Sequence, residues 1–500
     1  MTRRTRPIPG RLHSPAAEVW GRRLAHVARV LGREELDLPA RPSHAHLVEA
    51  LERTIDVTDR AEVWLALAAL SGVLPRDEEV VGTTRRGALD GAGALWRQVE
   101  AMSMPSTLAQ EVTVLTEVTL ADVNHTVATD LATGIQRVAR LTVQRWLRDS
   151  DIVPVAWTVD FAALRTLTVA EHGRLLDDGD QPTRGPAGVV VPWRSRILVP
   201  ELAAEHGRSH RLLALARWSG CSTGVIGFDC VPFTSAETTA EGFAAVFYGN
   251  LAAVRHFDRV AAISDAAAVE YEGWRRMLGA VGMTGPQIAA VPLPEEAPKP
   301  DDDALDDAAR RFCIPGLPLV LVVGSHEPRK NHLAVLHAAE QAWRSGEQFS
   351  LTFVGGNSWA SEAFAAELAE LQSAGRPVES VSRLPDRLLW AAYRLARFTV
   401  FPSLNEGFGL PVAESLAAAT PVLTSNYGSM AEIGAAGGTY LVDPRDDDAV
   451  AAAFGELLRD DELVRRLQDE ALERPSRTWD TYASELWEFL TSPRTEENTE

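Results

Sequence analysis

Four side chains in the C-terminal half have types and a spacing that could do chemistry. Glu406 and Glu414 flank Gly407, Phe408, Gly409, Leu410 and Pro411. With two glycines and a proline between them, this spacing predicts the first glutamate in a loop and the second in a helix. Pro411 suits the first helical position, where its missing N–H would have no partner in any case. Backbone N–H groups at such a junction, with the positive end of the helix dipole behind them, make a site for phosphate. Upstream, Arg329 and Lys330 follow the apolar run LVLVVGS at residues 319–325. At the carboxyl end of a strand they could neutralise a diphosphate, arginine by forked contacts and lysine as a point charge. Each group taken alone has an ordinary explanation. A basic pair is common loop decoration, and a carboxylate in a first helical turn complements the dipole.

These residues need rigid elements to position them, and the chain is long enough to supply several. Five hundred residues exceed one core, so two or three domains are expected. The formal charge of −20 argues against a nucleic-acid partner, whose footprint would be a basic face. Cys221, Cys230 and Cys313 show no CxxC pairing and fit a reducing compartment, which makes a cytoplasmic location the expectation. Arg3, Arg4 and Arg6 precede no apolar leader segment. No run of eighteen apolar residues occurs, so no transmembrane segment is expected, and membrane contact would be peripheral.

Apolar residues recur at helical spacing through residues 16–104, which predicts a helical N-terminal region, residues 1–110, without a chemical signature. From residue 112 the texture changes to short β-rich runs, at 112–123, 151–159, 189–200, 222–232 and 257–264, with amphipathic helices between some of them. Strands alternating with helices predict a parallel sheet covered on both faces, residues 111–293. A stretch rich in proline and aspartate then reads as a linker, residues 294–316. The acidic runs at 301–303 and 446–448 read as solvated surface rather than metal sites. A second strand-helix series occupies 317–492, and residues 493–500 read as a disordered tail. Open α/β sheets bind ligands beyond the carboxyl ends of their strands, so a cleft between the two domains is the expected site.

With the motifs GSHEPRKNH, FVGG, RLPDRLLWAAYRLARFTVFPSLNEGFGLPVAESLAAATPVLTSN, MAEI and LVDP in place, the second domain resembles a known family. It is similar to the nucleotide-binding half of the retaining glycosyltransferases with two Rossmann-like domains (the GT-B type), family 4, the glycogen-synthase-like group. The first domain matches more loosely through TGIQRV, FDCVP and AISD, and the first hundred residues lie outside the likeness. The fold it implies is α/β, two doubly wound domains in tandem. The resemblance implies that Arg329 and Lys330 hold a donor diphosphate and that Glu406 meets the hydroxyls of the transferred sugar. Gly407, Phe408 and Gly409 would lie against sugar and phosphate, and Glu414 would accept from the nucleotide ribose. Gly134 and Ile135 match the family's glycine turn near the donor phosphate, and Gly324 and Leu410 fall within the matched donor motifs. The implied activity moves a hexose from a nucleotide diphosphate sugar to an acceptor hydroxyl with retention, with no metal or other cofactor. The TGIQRV and EPRKNH style is associated with enzymes of surface polysaccharide synthesis, often transferring mannose or rhamnose, and admits a glycan or lipid-linked acceptor.

The sequence departs from the family at Phe228-Asp229-Cys230-Val231-Pro232, where the family carries His-Asp-x-x-Pro. Phenylalanine cannot accept a proton or polarise a hydroxyl. Either Asp229 or a residue elsewhere takes that role, or the group is dispensable, or the enzyme is impaired. The alternative reading is therefore a non-catalytic relative that binds a nucleotide sugar as a scaffold subunit. A pyridoxal-type phosphorylase would need a Schiff-base lysine deep in the cleft, and a dehydrogenase would need GxGxxG glycines that VVGSHEPRK lacks.

Overall fold

The computed structural model describes residues 15–129, 134–176 and 188–493. Thr133, the N-terminal arginines and the expected tail beyond Pro493 lie outside them. No helix among the described residues is long and apolar enough to cross a membrane.

The first sheet has nine strands: β1 (Val112–Thr116), β2 (Thr119–Asp122), β3 (Ile152–Trp157), β4 (Leu164–Thr166), β5 (Val189–Trp193), β6 (Arg196–Val199), β7 (Ser222–Gly227), β8 (Arg259–Ala262) and β9 (Gln287–Ala290). Their order is β1-β5-β4-β3-β2-β6-β7-β8-β9. All neighbours are parallel except that β4 runs antiparallel to both β3 and β5. The expected parallel sheet is interrupted there for a simple reason. Only residues 158–163 join β3 to β4, too few for the crossover that parallel strands need. Two runs that read as single strands also divide. Glu117 and Arg194 take φ of 57° and 48°, separating β1 from β2 and β5 from β6.

The second sheet has six parallel strands: β10 (Leu319–Val323), β11 (Ser350–Val354), β12 (Val378–Val381), β13 (Phe398–Phe401), β14 (Val422–Ser425) and β15 (Thr439–Val442). Their order is β12-β11-β10-β13-β14-β15. Every residue of β11, β13 and β14 is buried, as continuous apolar runs covered by helices on both faces must be. The order reverses between β10 and β13, and such a switch point opens a crevice at the carboxyl ends of the strands.

The N-terminal region is helical as expected, and it is joined to the first sheet rather than standing apart. Its helix Arg60–Ser71 is buried from Val63 onward, and Trp64 stacks on Trp193 of β5 with ring centroids 6.5 Å apart. The buried Arg23 guanidinium donates to the Leu70 and Thr107 carbonyls at 2.8 and 2.7 Å. Asp301 and Asp446, from the two acidic runs, accept from the N–H groups of Ala304 and Ala449 as helix caps. Inside the stretch 294–316 that reads as a linker, residues 302–312 form a helix, Asp302–Phe312, which packs Ala304, Ala308 and Phe312 with Trp390 and Tyr393 of the second unit.

The chain crosses between the two units twice. The last helix, Trp479–Thr491, was expected to stay with the second sheet but returns to the first, where Trp479, Tyr482, Leu486 and Leu490 join its core. Trp146 of the helix Gly134–Asp149 donates its indole N–H to the Ala483 carbonyl at 3.0 Å. The two crossings are bound to each other. Arg474 pairs with Glu295 at 2.6 Å, Arg477 donates to the Pro292 carbonyl at 2.9 Å, and Glu296 accepts from the Trp479 N–H at 2.9 Å.

Leu490 is 2% exposed at the end of this helix. Truncating a buried leucine removes its transfer free energy and leaves a cavity, so Leu490→Ala is expected to cost about 2–4 kcal/mol. Chemical denaturation followed by tryptophan fluorescence measures it. A loss below about 1 kcal/mol would mean that the returning helix is not part of the first core.

Candidate functional site

The switch point of the second sheet brings the sequence-predicted charges together. Arg329 and Lys330 lie in a 3-10 turn, Pro328–Lys330, between β10 and the helix His332–Arg344. Glu406 lies in the loop between the adjacent strand β13 and the helix Leu410–Ala417. Its two oxygens are divided between the cations, with Lys330 Nζ at 2.5 Å from Oε1 and an Arg329 NH1 at 2.6 Å from Oε2. Ser403 donates to Oε1 at 2.8 Å. Arg329 also reaches Glu327 and the Asn405 carbonyl, each at 2.7 Å. The Lys330 ammonium rests 4.7 Å from the centroid of the Phe401 ring.

Hydrogen-bond arithmetic shows what remains available. A carboxylate offers about four acceptor positions, so Lys330, Ser403 and Arg329 leave Glu406 roughly one. Arg329 uses three of about five N–H groups, leaving its Nε and one NH2 hydrogen. Burial would raise the Glu406 carboxyl, but the charges of Arg329 and Lys330 and their hydrogen bonds outweigh it and bring the pKa down to about 2. The group is ionised at neutral pH.

Glu414 occupies a separate position. It is the fifth residue of its helix, beyond the first turn, so it does not serve the dipole. It is buried, and its Oε1 is paired with Arg137, which comes across the cleft from the helix Gly134–Asp149. Its Oε2 accepts from the Tyr393 hydroxyl at 2.9 Å. Arg137 also lies over the Trp390 ring at 5.5 Å. About two acceptor positions on Glu414 stay open. Neither Arg137 nor Tyr393 was singled out as a site residue, although both lie inside motifs that were, TGIQRV and RLLWAAYRL.

The loop from Glu406 to Gly409 meets the first unit directly. A Cβ on Gly407 would lie 2.1 Å from the Phe228 carbonyl oxygen and 3.0 Å from the Asp229 Cβ. Ser264 donates to the Gly407 carbonyl at 2.5 Å, and Asn405 donates to the Thr234 and Ser235 hydroxyls at 3.1 Å each. Phe408 is buried, and Gly409 caps the helix with φ of 100°, a conformation that favours glycine. Gly134 faces Leu410, whose Cδ1 would lie 3.3 Å from an added Cβ. Gly324 ends β10 beside the aliphatic stem of Lys330, and Ile135 points to a cavity behind Asp229. Glu432 of the second unit accepts from the N–H groups of Asp265 and Ala266 at 3.1 and 3.0 Å, capping a helix of the first.

Asp229 follows β7 on the facing wall. Its Oδ1 accepts from the Val231 N–H at 3.1 Å, and its Oδ2 has no hydrogen-bond partner among the described residues. Burial raises its carboxyl, Arg329 opposes, Glu270 and Glu406 add to the rise, and the result is about 6. Beneath it lies a charged cluster that no motif announced. The fully buried Arg208 pairs with Asp122 at 2.9 Å and Glu201 at 2.8 Å. Glu201 in turn accepts from the N–H groups of His125 and Thr126 at 2.7 and 3.0 Å. Removing one partner from such a cluster would leave a buried charge uncompensated. Through His125 and Thr126 it fixes the short helix Asn124–Ala128.

Two mainly parallel sheets facing each other across a cleft, with the charged residues at a switch point, define the GT-B fold. A solved trehalose 6-phosphate synthase from Burkholderia multivorans shares this architecture, with a TM-score of 0.52 and 13% identity over 75% of this chain and 98% of that one. Residues 312–474 match the family model described as glycosyl transferases group 1. Among curated relatives, the serotype-specific mannosyltransferase WbdA of Escherichia coli is 24% identical over 327 residues, 63% of this chain and 39% of the relative. The O-antigen chain mannosyltransferase B of the same organism is 34% identical over 143 residues, 28% of this chain and 37% of that protein. The chain thus spans well under half the length of these relatives.

The close approach at Gly407 admits no side chain while the two units are in contact. Gly407→Ala is expected to hold them apart, with a larger radius of gyration in small-angle scattering and an unchanged fold by circular dichroism. Scattering identical to the parent would show that this contact does not set the cleft.

Proposed function

We propose that the chain is a retaining glycosyltransferase that moves a hexose from a nucleotide diphosphate sugar to an acceptor hydroxyl in glycan synthesis. One observation carries the reading: Arg329, Lys330 and Glu406 converge at the switch point of the second sheet, with Asp229 facing them across the cleft. The family match over residues 312–474 and the glycosyltransferase names of the relatives support it, and those relatives favour mannose as the sugar.

In this reading the donor diphosphate takes the N–H groups of Arg329 and Lys330 that face the cleft, and the N-terminus of the helix Leu410–Ala417 adds its dipole. Glu406 accepts from a sugar hydroxyl at its remaining position. The two open positions on Glu414 match the two hydroxyls of a ribose. Stabilisation of charge on the leaving diphosphate by preorganised cations is the main contribution to rate. Glu406 is held at the cations and is assigned to the sugar hydroxyls, so the covalent scheme of retaining glycosidases gains no nucleophile from it. Front-face attack follows, in which the acceptor hydroxyl gives its proton to the departing phosphate oxygen as its oxygen bonds to the anomeric carbon. Asp229 orients that hydroxyl in the place where the family carries histidine next door. The binding-only alternative draws on Phe228 and on the helical N-terminal region, and the pairing of Arg329, Lys330 and Glu406 weighs against it.

Two measurements test these roles. A panel of nucleotide sugars is screened first by thermal shift and then by release of nucleoside diphosphate. With the active donor, Lys330→Ala and Glu406→Ala are each expected to lower kcat by roughly 100-fold or more. Full turnover in both would overturn the site assignment. The second measurement uses pH. Asp229 has a folded pKa of about 6, raised by burial and by Glu270 and Glu406 against the pull of Arg329, so it is protonated below that pH and a carboxylate above it. If the carboxylate is the working form, kcat/KM rises as pH passes upward through about 6, and Asp229→Asn removes that limb. An unchanged profile in the variant would take Asp229 out of the reaction.

A further inference from the structure

A cavity of about 270 Å³ lies in the first unit, behind Asp229 and beside Arg329, where it meets the cleft. Its walls are apolar: Leu202, Phe228, Val231, Phe243, Phe247 and Val254 line it. Most polar side chains on its surface already have partners. Glu201 is held by Arg208 and two backbone N–H groups, Asn250 donates to the Ala203 carbonyl at 2.9 Å, and the Thr239 hydroxyl donates to the Ala236 carbonyl at 2.8 Å. Trp359, reaching over from the second unit, donates its indole N–H to the Thr238 carbonyl at 3.3 Å. Among the described residues, the acceptor without a partner at the mouth is Asp229 Oδ2. Apolar cavities of about 150 Å³ hold benzene and exclude water, so this one has room for a larger apolar body.

A second observation points the same way. The helix Phe243–Val254 separates the cavity from solvent and carries no charged residue. Its inner face supplies Phe243, Phe247 and Val254, while Val246 and Tyr248 on its outer face are 43% and 51% exposed. A surface helix ordinarily carries charge on its outer side. Here the apolar surface continues from the cavity wall to the outside.

We infer that this cavity receives the apolar part of an amphiphilic acceptor, a sugar or polyol whose hydroxyl meets Asp229 while an attached alkyl chain lies against Phe228, Phe243 and Phe247. This rests on the glycosyltransferase reading above, which it deepens by naming the acceptor class. It also gives Phe228 a task that histidine could not perform, because an imidazole in that wall would place an unpaired polar group against the chain.

Binding of n-octyl and methyl mannoside, identical in their sugar, is compared by calorimetry at concentrations below micelle formation. The octyl compound is expected to bind at least tenfold more tightly. Ala240→Trp, which fills the cavity from its rim, and Phe243→Gln, which makes a half-buried wall polar, are each expected to abolish that preference and leave methyl mannoside binding unchanged. Thermal stabilisation by GDP and UDP, measured on the same samples, reports on the donor side. Equal affinity for the two mannosides, or an octyl preference that survives both substitutions, overturns the inference. If nucleotides stabilise the protein and the preference is missing, the acceptor class alone is wrong. If the preference is present and neither nucleotide stabilises, the donor reading falls and the cavity assignment stands.

Discussion

The cleft depends on one act of charge compensation, Glu406 held between Arg329 and Lys330. Their side chains are 10–15% exposed, and charges so far removed from water persist only when paired and hydrogen-bonded. That requirement explains the surrounding details. β10 and β13 must be neighbours so that the turn after one reaches the loop after the other. Ser403 must satisfy the carboxylate oxygen shared with Lys330, and Glu327 must take the outer edge of the Arg329 guanidinium. The cations are thereby fixed in place, with Arg329 bordering the cavity of the facing unit. A site of this kind is preorganised, because the orienting of the charges is completed by the fold.

The first unit contributes shape more than charge. Its backbone at Phe228 and Asp229 is pressed against Gly407, and its helix Asp265–Ala280 is capped from the opposite unit by Glu432. Arg137 reaches across to Glu414, so the helix that begins at Gly134 is fastened to the second sheet by an ion pair. The buried Arg208 cluster holds the neighbouring short helix Asn124–Ala128 through His125 and Thr126. The apolar cavity sits between these two fastenings.

What could be read from the sequence follows from how local each feature is. The turn with Arg329 and Lys330 and the glycine loop with Glu406 are short-range patterns tied to strand ends, and both appear where the motifs placed them. Which strands lie side by side is a longer-range matter, yet the alternation of strands and helices was sufficient for the doubly wound class. The Arg137–Glu414 pair was hidden because its members are 277 residues apart and in different units. The strand-helix series of 317–492 does not say which sheet its last helix covers, so the return of that helix to the first core went unread. β4 was lost because three residues in a loop-rich stretch give no period to detect. The raised carboxyl of Asp229 is likewise a property of burial and neighbours, which no spacing encodes.

The two crossings between the units have a mechanical meaning. A single linker lets two bodies swivel, twist and drift. Here two lengths of chain run side by side and are clasped by Arg474 and Glu295, with Arg477 and Glu296 alongside. Such a strap bends easily about one line and resists torsion. Any separation of the units at the Gly407 contact would therefore be a hinge about this strap rather than a free rotation.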